Sequence, residues 1–138
     1  MSVGAAERRA AEQRADGRCE YCRMHQELQG AAFHVEHTEP TARGGADDLD
    51  NLALACPTCN LKKGARVTGE DPATGMAAGL FNPRRHQWSE HFVWSGLHAV
   101  GRTPTGRATV LALDLNHPRR LRIRVVEQAL GLFPPPGS

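Results

Sequence analysis

The four cysteines of this 138-residue chain form two pairs, and in each pair two residues separate the cysteines. The pairs are Cys19 with Cys22 and Cys56 with Cys59. This spacing is typical of a tetrahedral zinc site, because each tight turn presents two thiolates together. Four thiolates complete the tetrahedron and leave no position for a catalytic water, so we expect the zinc to be structural. Such a site joins two distant segments of a small domain and contributes to its folding energy.

Cysteine usage and hydropathy indicate the compartment. All four cysteines belong to the pairs, so none is left for a separate disulfide framework. The N-terminal run of alanine, glutamate and arginine lacks the apolar stretch of a signal peptide, and nowhere do about eighteen apolar residues follow one another. We therefore expect a cytoplasmic protein that does not bind a membrane.

The net charge of +2 conceals an uneven distribution along the chain. Residues 1–59 contain six basic and ten acidic residues, whereas residues 60–124 contain eleven basic and four acidic residues. A basic stretch of this kind is suited to a polyanion, although solvated helix faces produce the same asymmetry. The charge pattern therefore supports a nucleic-acid partner without establishing one.

Local patterns predict a mixture of helices and short strands. We expect helices at residues 5–15, from Asn60 to about residue 64, at 109–115 and from Pro118 to about residue 130. Strands are expected at residues 33–38 and 51–55, and a hairpin at residues 88–94 and 97–101 around a Ser-Gly dipeptide. This alternation predicts the α+β class.

A second group of polar residues lies between and after the cysteine pairs. Its members are His34, Glu36, His37, Asn51 and Asn60. A hard cation such as Mg²⁺ prefers oxygen ligands, and Glu36 and Asn60 can supply two. A neutral histidine beside such an ion is a natural general base for a water that attacks phosphorus. Each residue alone has an ordinary structural explanation, but together they indicate phosphodiester hydrolysis.

The order and spacing of these motifs resemble the HNH endonucleases, which are ββα-metal or His-Me finger nucleases. The matching residues are Cys19-x-x-Cys22, Glu36-His37, Pro40, Gly44-Gly45, Asn51-Leu52, Cys56-x-x-Cys59-Asn60 and Lys63-Gly64. The resemblance implies an α+β fold with a ββα-metal core, a four-cysteine zinc site, and a C-terminal hairpin and helices. Residues 69–107 are similar to the C-terminal extension of small stand-alone bacterial HNH proteins.

The resemblance also implies a role for each matching residue. His37 would be the general base, and Glu36 with Asn60 would hold one catalytic Mg²⁺ or Mn²⁺. Asn51 would fix the loop between the strands and so keep the imidazole of His37 aimed. The substrate would be DNA, and the products would carry a 5′ phosphate and a 3′ hydroxyl.

Further residues are expected around this site. Lys63, Lys62 and Arg43 would contact DNA phosphates, and His34 would either support the metal ligands or lie at the surface. Glu36 replaces the aspartate that is commoner in the family, and Asn60 replaces the final histidine. Adjacent residues of a regular strand point to opposite faces, so Glu36 and His37 can share a site only if the strand bends or ends there.

The implied organisation has four parts. These are an N-terminal helix at 1–17, the nuclease core with its zinc at 18–68, an extension packed on the core at 69–133, and a disordered tail at 134–138. The leading alternative is a catalytically inactive, zinc-braced nucleic-acid binding module. A degenerate domain would be expected to lose His37 or Asn60, and both are present. Cleavage of both DNA strands by a single site would favour a homodimer.

Overall fold

The computed structural model describes residues 3–30 and 32–137. The chain forms two compact units, one of Met1–Ala65 with Asn82–Arg85 and one of Arg66–Phe81 with His86–Ser138. Each unit combines helices with two-stranded antiparallel sheets, so the predicted α+β class is confirmed. Within the described ranges, every helix is too short or too polar to cross a bilayer.

Among its described residues, the first unit has two α-helices and one strand pair. These are α1 (Ala5–Arg14), β1 (His34–His37), β2 (Leu52–Ala55) and α2 (Pro57–Lys63). The two strands are antiparallel, with His34 opposite Ala55 and His37 opposite Leu52. Since α2 follows β2 directly and contacts β1, the chain has the strand-strand-helix order that the resemblance implied.

Strand β2 forms the centre of the first unit. All four of its residues are fully buried, and helix α1 packs against it. The guanidinium of Arg14 donates to the backbone carbonyls of Leu49 and Leu52, at 2.8 and 2.6 Å. These contacts fix the strand that leads into the second cysteine pair.

Helix α2 begins earlier than the sequence indicated. The prediction placed its start at Asn60, but the helix begins at Pro57, so Asn60 lies in its middle. Proline is favourable in a first helical turn, and the Sγ atom of Cys56 accepts a hydrogen bond from the backbone N–H of Cys59 at 3.3 Å. The second cysteine pair is therefore the first turn of the helix, which ends at Gly64.

The second unit is built from two hairpins and three helices. These are β3 (Thr68–Glu70), β4 (Ala77–Gly79), α3 (Trp88–His91), β5 (Phe92–Ser95), β6 (His98–Gly101), α4 (Pro104–Ala112) and α5 (Pro118–Ala129). Its interior includes Trp88 stacked on Phe92, with ring centroids 4.8 Å apart. The buried carboxylate of Asp71 accepts two hydrogen bonds from Arg107, each 2.9 Å long.

Two predictions for this unit need correction. The hairpin of β5 and β6 is confirmed, but the residues before Phe92 form a helical turn and the connecting residues are Gly96 and Leu97. Helix α4 begins at Pro104 rather than residue 109, because the hydroxyl of Thr103 accepts from the N–H of Gly106 at 3.0 Å and caps the helix. The final helix begins at Pro118, as predicted.

Candidate functional site

The four cysteines converge in the interior of the first unit. Their Sγ atoms all lie within 4.8 Å of one another, and each residue is at most 2% exposed. One pair lies in the turn after α1, where the N–H of Cys22 donates to Sγ of Cys19 at 3.5 Å, and the other opens α2. Among the described residues, this cluster of Cys19, Cys22, Cys56 and Cys59 is the one group positioned to hold a metal ion through cysteine, histidine or carboxylate side chains.

The four-sulfur donor set of the cluster fits a zinc ion. Burial raises the pKa values of the Cys19 and Cys59 thiols, whereas hydrogen bonds from the neighbouring cysteines lower the pKa of Cys56. Four thiolates this close repel one another unless a cation lies between them, and Zn²⁺ prefers this donor set. Because all four positions would be filled by sulfur, the zinc would brace the fold and would not bind substrate.

A cavity of about 380 Å³ lies beside β1 and α2. Its lining includes His34, Glu36, His37 and Asn60, so four of the predicted site residues meet at one place. All four residues of β1, which ends at His37, border the cavity. Pro40, at the beginning of the next turn, also contributes to the lining. We call this space the β1–α2 cavity.

The imidazole of His37 is held by an aspartate that the sequence did not single out. Nε2 of His37 lies 2.6 Å from Oδ1 of Asp47, and their side chains are 18% and 24% exposed. A carboxylate at this distance accepts the Nε2 proton, which leaves Nδ1 as the basic nitrogen of the neutral ring. Asp48 and Asp50 follow Asp47 in the same acidic loop, so the sequence contained no signal that distinguished it.

The carboxylate of Glu36 has two partners within the first unit. One oxygen accepts from the hydroxyl of Tyr21, and the other lies 3.3 Å from Nζ of Lys63. Glu36 is 8% exposed, and burial raises the pKa of its carboxyl group against the lowering effect of the Lys63 charge. Burial also raises the pKa of Tyr21 well above its ordinary value. The sequence gave no reason to single out Tyr21, which is one of the two residues between the cysteines of the first pair.

Lys63 is buried, whereas its predicted role requires an exposed side chain. The prediction assigned it a contact with DNA phosphate, but the residue is only 3% exposed and its Nζ points to Glu36 and the carbonyl of Thr38. Its neighbour Lys62 is exposed. Arg43 is exposed as well, and its Nε donates to Glu39 at 3.0 Å. Of the three cations for which a phosphate contact was predicted, Lys62 and Arg43 are therefore exposed and Lys63 is not.

Asn51 connects both ends of the loop between the strands. Its Oδ1 accepts from the hydroxyl of Thr38 at 2.7 Å and from the N–H of Glu39 at 2.8 Å. Its Nδ2 donates to the carbonyls of Glu39 and Ala46, at 3.0 and 2.8 Å. Ala46 precedes Asp47, so Asn51 also positions the residue that holds His37. These are the contacts that the expected loop-fixing role needs.

Two of the residues at the cavity differ in exposure. Asn60 is half-buried and comes from the middle of α2, whereas His34 is exposed and lies at the start of β1. The oxygens of Glu36 and Asn60 belong to the class that hard divalent cations prefer. Each oxygen of Glu36 accepts one hydrogen bond and keeps a lone pair, so the donor set fits such an ion.

Comparison with known families agrees with this geometry. The family model described as HNH endonuclease matches residues 19–66, which include both cysteine pairs and the whole lining of the β1–α2 cavity. The resemblance deduced from the motifs is therefore confirmed over this segment. No curated protein and no solved structure gives a significant match to the chain.

Proposed function

We propose that this chain is an endonuclease that hydrolyses DNA phosphodiester bonds in the β1–α2 cavity, with the help of a divalent cation. The match to the HNH endonucleases indicates a nuclease or nucleic-acid binding function, and the cavity supports the first. The main support is that Glu36, His37 and Asn60 line one cavity, with the Nε2 atom of His37 engaged by Asp47. The proposed general base and the two proposed oxygen ligands therefore border the same surface opening.

His37 would act through Nδ1, since Asp47 takes Nε2. As the oxygen of the attacking water bonds to phosphorus, its proton passes to Nδ1 and the bond from phosphorus to the 3′ oxygen breaks. The 3′ oxygen takes a proton from solvent, so the products carry a 5′ phosphate and a 3′ hydroxyl. The carboxylate of Asp47 stabilises the imidazolium that forms, as a positioned acid does in other histidine-based sites.

Glu36 and Asn60 would hold one Mg²⁺ or Mn²⁺. When bound, such an ion supplies charge stabilisation for the pentacovalent phosphate and the departing oxygen. Two protein oxygens are enough, because water and substrate phosphate commonly complete the coordination of Mg²⁺. His34, at the rim of the cavity, is proposed to support these ligands.

DNA is the proposed partner, and two exposed cations of the first unit would position it. Lys62 and Arg43 carry charges suited to backbone phosphates, which fix the register of DNA without reading its sequence. Zinc bound by the four cysteines would keep α2, and with it Asn60, in place beside β1. The expected homodimer and the expected cytoplasmic location stay predictions.

Plasmid cleavage tests the proposal. Zinc-loaded protein is expected to nick or cut supercoiled DNA with Mg²⁺ and to leave it intact in metal-depleted buffer without chelator, so that the zinc is retained. His37→Ala is expected to lower the rate by about 10² to 10⁴, the usual range for a general base. His98→Ala, which removes an exposed histidine of the second unit, is the matched control and should cut as the wild type does.

A second candidate function is a zinc-braced module that binds nucleic acid without cleaving it. The observation that favours it is the pairing of Glu36 with Lys63, which already neutralises the proposed metal ligand. Under this alternative, DNA binding persists while no metal, including Mn²⁺, supports cleavage. Wild-type binding without cleavage in every divalent metal would therefore favour the module over the enzyme.

A further inference from the structure

Lys63 is a buried charged residue of the first unit that the proposed mechanism does not use. It is 3% exposed at the C-terminal end of α2, whereas the preceding Lys62 is exposed. Lysine is almost never fully buried unless its charge is paired. Its ammonium group lies 3.3 Å from Glu36 and 3.5 Å from the carbonyl oxygen of Thr38, so it joins α2 to the end of β1.

The ammonium lies beside the carboxylate to which the proposed reaction assigns the catalytic cation. Its single positive charge cancels the single negative charge of Glu36, and Tyr21 donates to the other oxygen. A divalent ion at Glu36 would then be repelled by Lys63 at close range, in a buried environment where solvent screens charges weakly. The remaining proposed ligand, Asn60, is neutral and does not offset that repulsion.

We propose that Lys63 is a built-in counter-cation that keeps Glu36 in place and weakens divalent-metal binding by the free protein. This inference rests on the proposed function, because it takes Glu36 as a ligand of the catalytic ion. A phosphodiester group entering the β1–α2 cavity adds negative charge, and this charge offsets the repulsion from Lys63. The metal and the DNA therefore bind with positive coupling, and the cavity is loaded mainly when substrate is present.

The test measures Mn²⁺ affinity directly, without cleavage. Zinc-loaded wild type, Lys63→Met and Lys63→Arg are titrated with Mn²⁺, and the free ion is followed by its EPR signal. The titration is done at about pH 8, where protons compete little for carboxylates with ordinary pKa values. Arg9→Met is the control, since it removes an exposed and therefore screened charge of the first unit that the proposed site does not use.

Lys63→Met is expected to bind Mn²⁺ at least about tenfold more tightly than the wild type, because the repulsion is gone. Lys63→Arg and Arg9→Met should stay within about twofold of the wild type, and adding Glu36→Gln to Lys63→Met should abolish the gain. Zinc content and far-UV circular dichroism establish that each variant is folded.

The proposal is overturned if folded Lys63→Met binds Mn²⁺ no more tightly than the wild type. If that variant does not fold, Lys63→Gln takes its place, because it removes the charge while keeping a hydrogen-bond donor. The nuclease function and the role of Lys63 can each be refuted without refuting the other. Metal-dependent cleavage with unchanged Mn²⁺ affinity rejects the counter-cation alone, whereas tighter Mn²⁺ binding by Lys63→Met without cleavage by any variant rejects the nuclease.

Discussion

The loop between β1 and β2 should depend on Asn51 for its conformation. Asn51→Ala removes four hydrogen bonds at once, two accepted by the side-chain oxygen and two donated by the nitrogen. Three of them are partly buried and one is exposed. At about 1 kcal/mol net for each partly buried bond and little for the exposed one, unfolding of the first unit should become about 3 kcal/mol easier. This corresponds to a change of about 150-fold in the folding equilibrium.

The assay must report on the first unit. Both tryptophans, Trp88 and Trp94, belong to the second unit, so their fluorescence is the wrong signal. Urea-induced release of zinc, followed with a chromogenic chelator, reports on the cysteine cluster instead. Asp48→Ala is the control, because it changes the same loop at an exposed side chain that makes no capping hydrogen bond.

A variant that keeps two of the four hydrogen bonds of Asn51 separates the accepted bonds from the donated ones. Asn51→Asp preserves the acceptor for Thr38 and for the N–H of Glu39, but it turns a second oxygen towards the carbonyls of Glu39 and Ala46. We expect it to recover no more than about half of the lost stability. If Asn51→Ala unfolds within about 0.5 kcal/mol of the wild type, the reasoning about this loop is wrong.

Three further predictions concern turns, metal and charge. Gly45→Ala should destabilise the first unit by about 3 kcal/mol or more, because a Cβ atom would lie 1.8 Å from a backbone oxygen. Gly44 has open space around it but a φ of 86°, so Gly44→Ala should destabilise the unit by about 1 kcal/mol in the same zinc-release assay. Cys56→Ser should abolish stoichiometric zinc binding measured by atomic absorption and unfold the first unit; retained zinc would contradict the assignment. Arg107 holds the pKa of the Asp71 carboxyl below its ordinary value, so this ion pair stabilises the fold above about pH 4, and the stabilisation is lost as the pH falls. Urea unfolding followed by tryptophan fluorescence should show the free energy of unfolding of the wild type decreasing with pH over this range. An equally steep decrease in Arg107→Met would contradict the prediction.

The parts of the site that could be predicted are those set by spacing along the chain. Two cysteine pairs leave few ways to satisfy four thiolates other than one metal cluster, and the cluster then brings the start of α2 close to the turn after α1. Once β1 and α2 are adjacent, Glu36, His37 and Asn60 must lie near one another. The α+β class follows from the same short strands and helices.

The parts that could not be predicted depend on how a loop folds back in three dimensions. Asp47 pairs with His37 only because the loop, fixed by Asn51, brings one of several neighbouring aspartates to the imidazole. Burial of Lys63 depends on the rotation of α2 about its axis. The prediction started this helix at Asn60 instead of Pro57 and so could not give that rotation. Adjacent lysines look equivalent in sequence, and only the helix register decides which one faces Glu36.

His37 is proposed to act as the general base of DNA cleavage at the β1–α2 cavity. The most direct measurement is the single-turnover cleavage rate of an end-labelled DNA duplex by zinc-loaded wild type and His37→Ala in Mg²⁺, with the product ends identified. We predict 5′ phosphate and 3′ hydroxyl ends, and a rate that falls by about 10² or more in the variant while DNA binding is unchanged. Equal rates for the two proteins, or no cleavage by the wild type in any divalent metal, would contradict the claim.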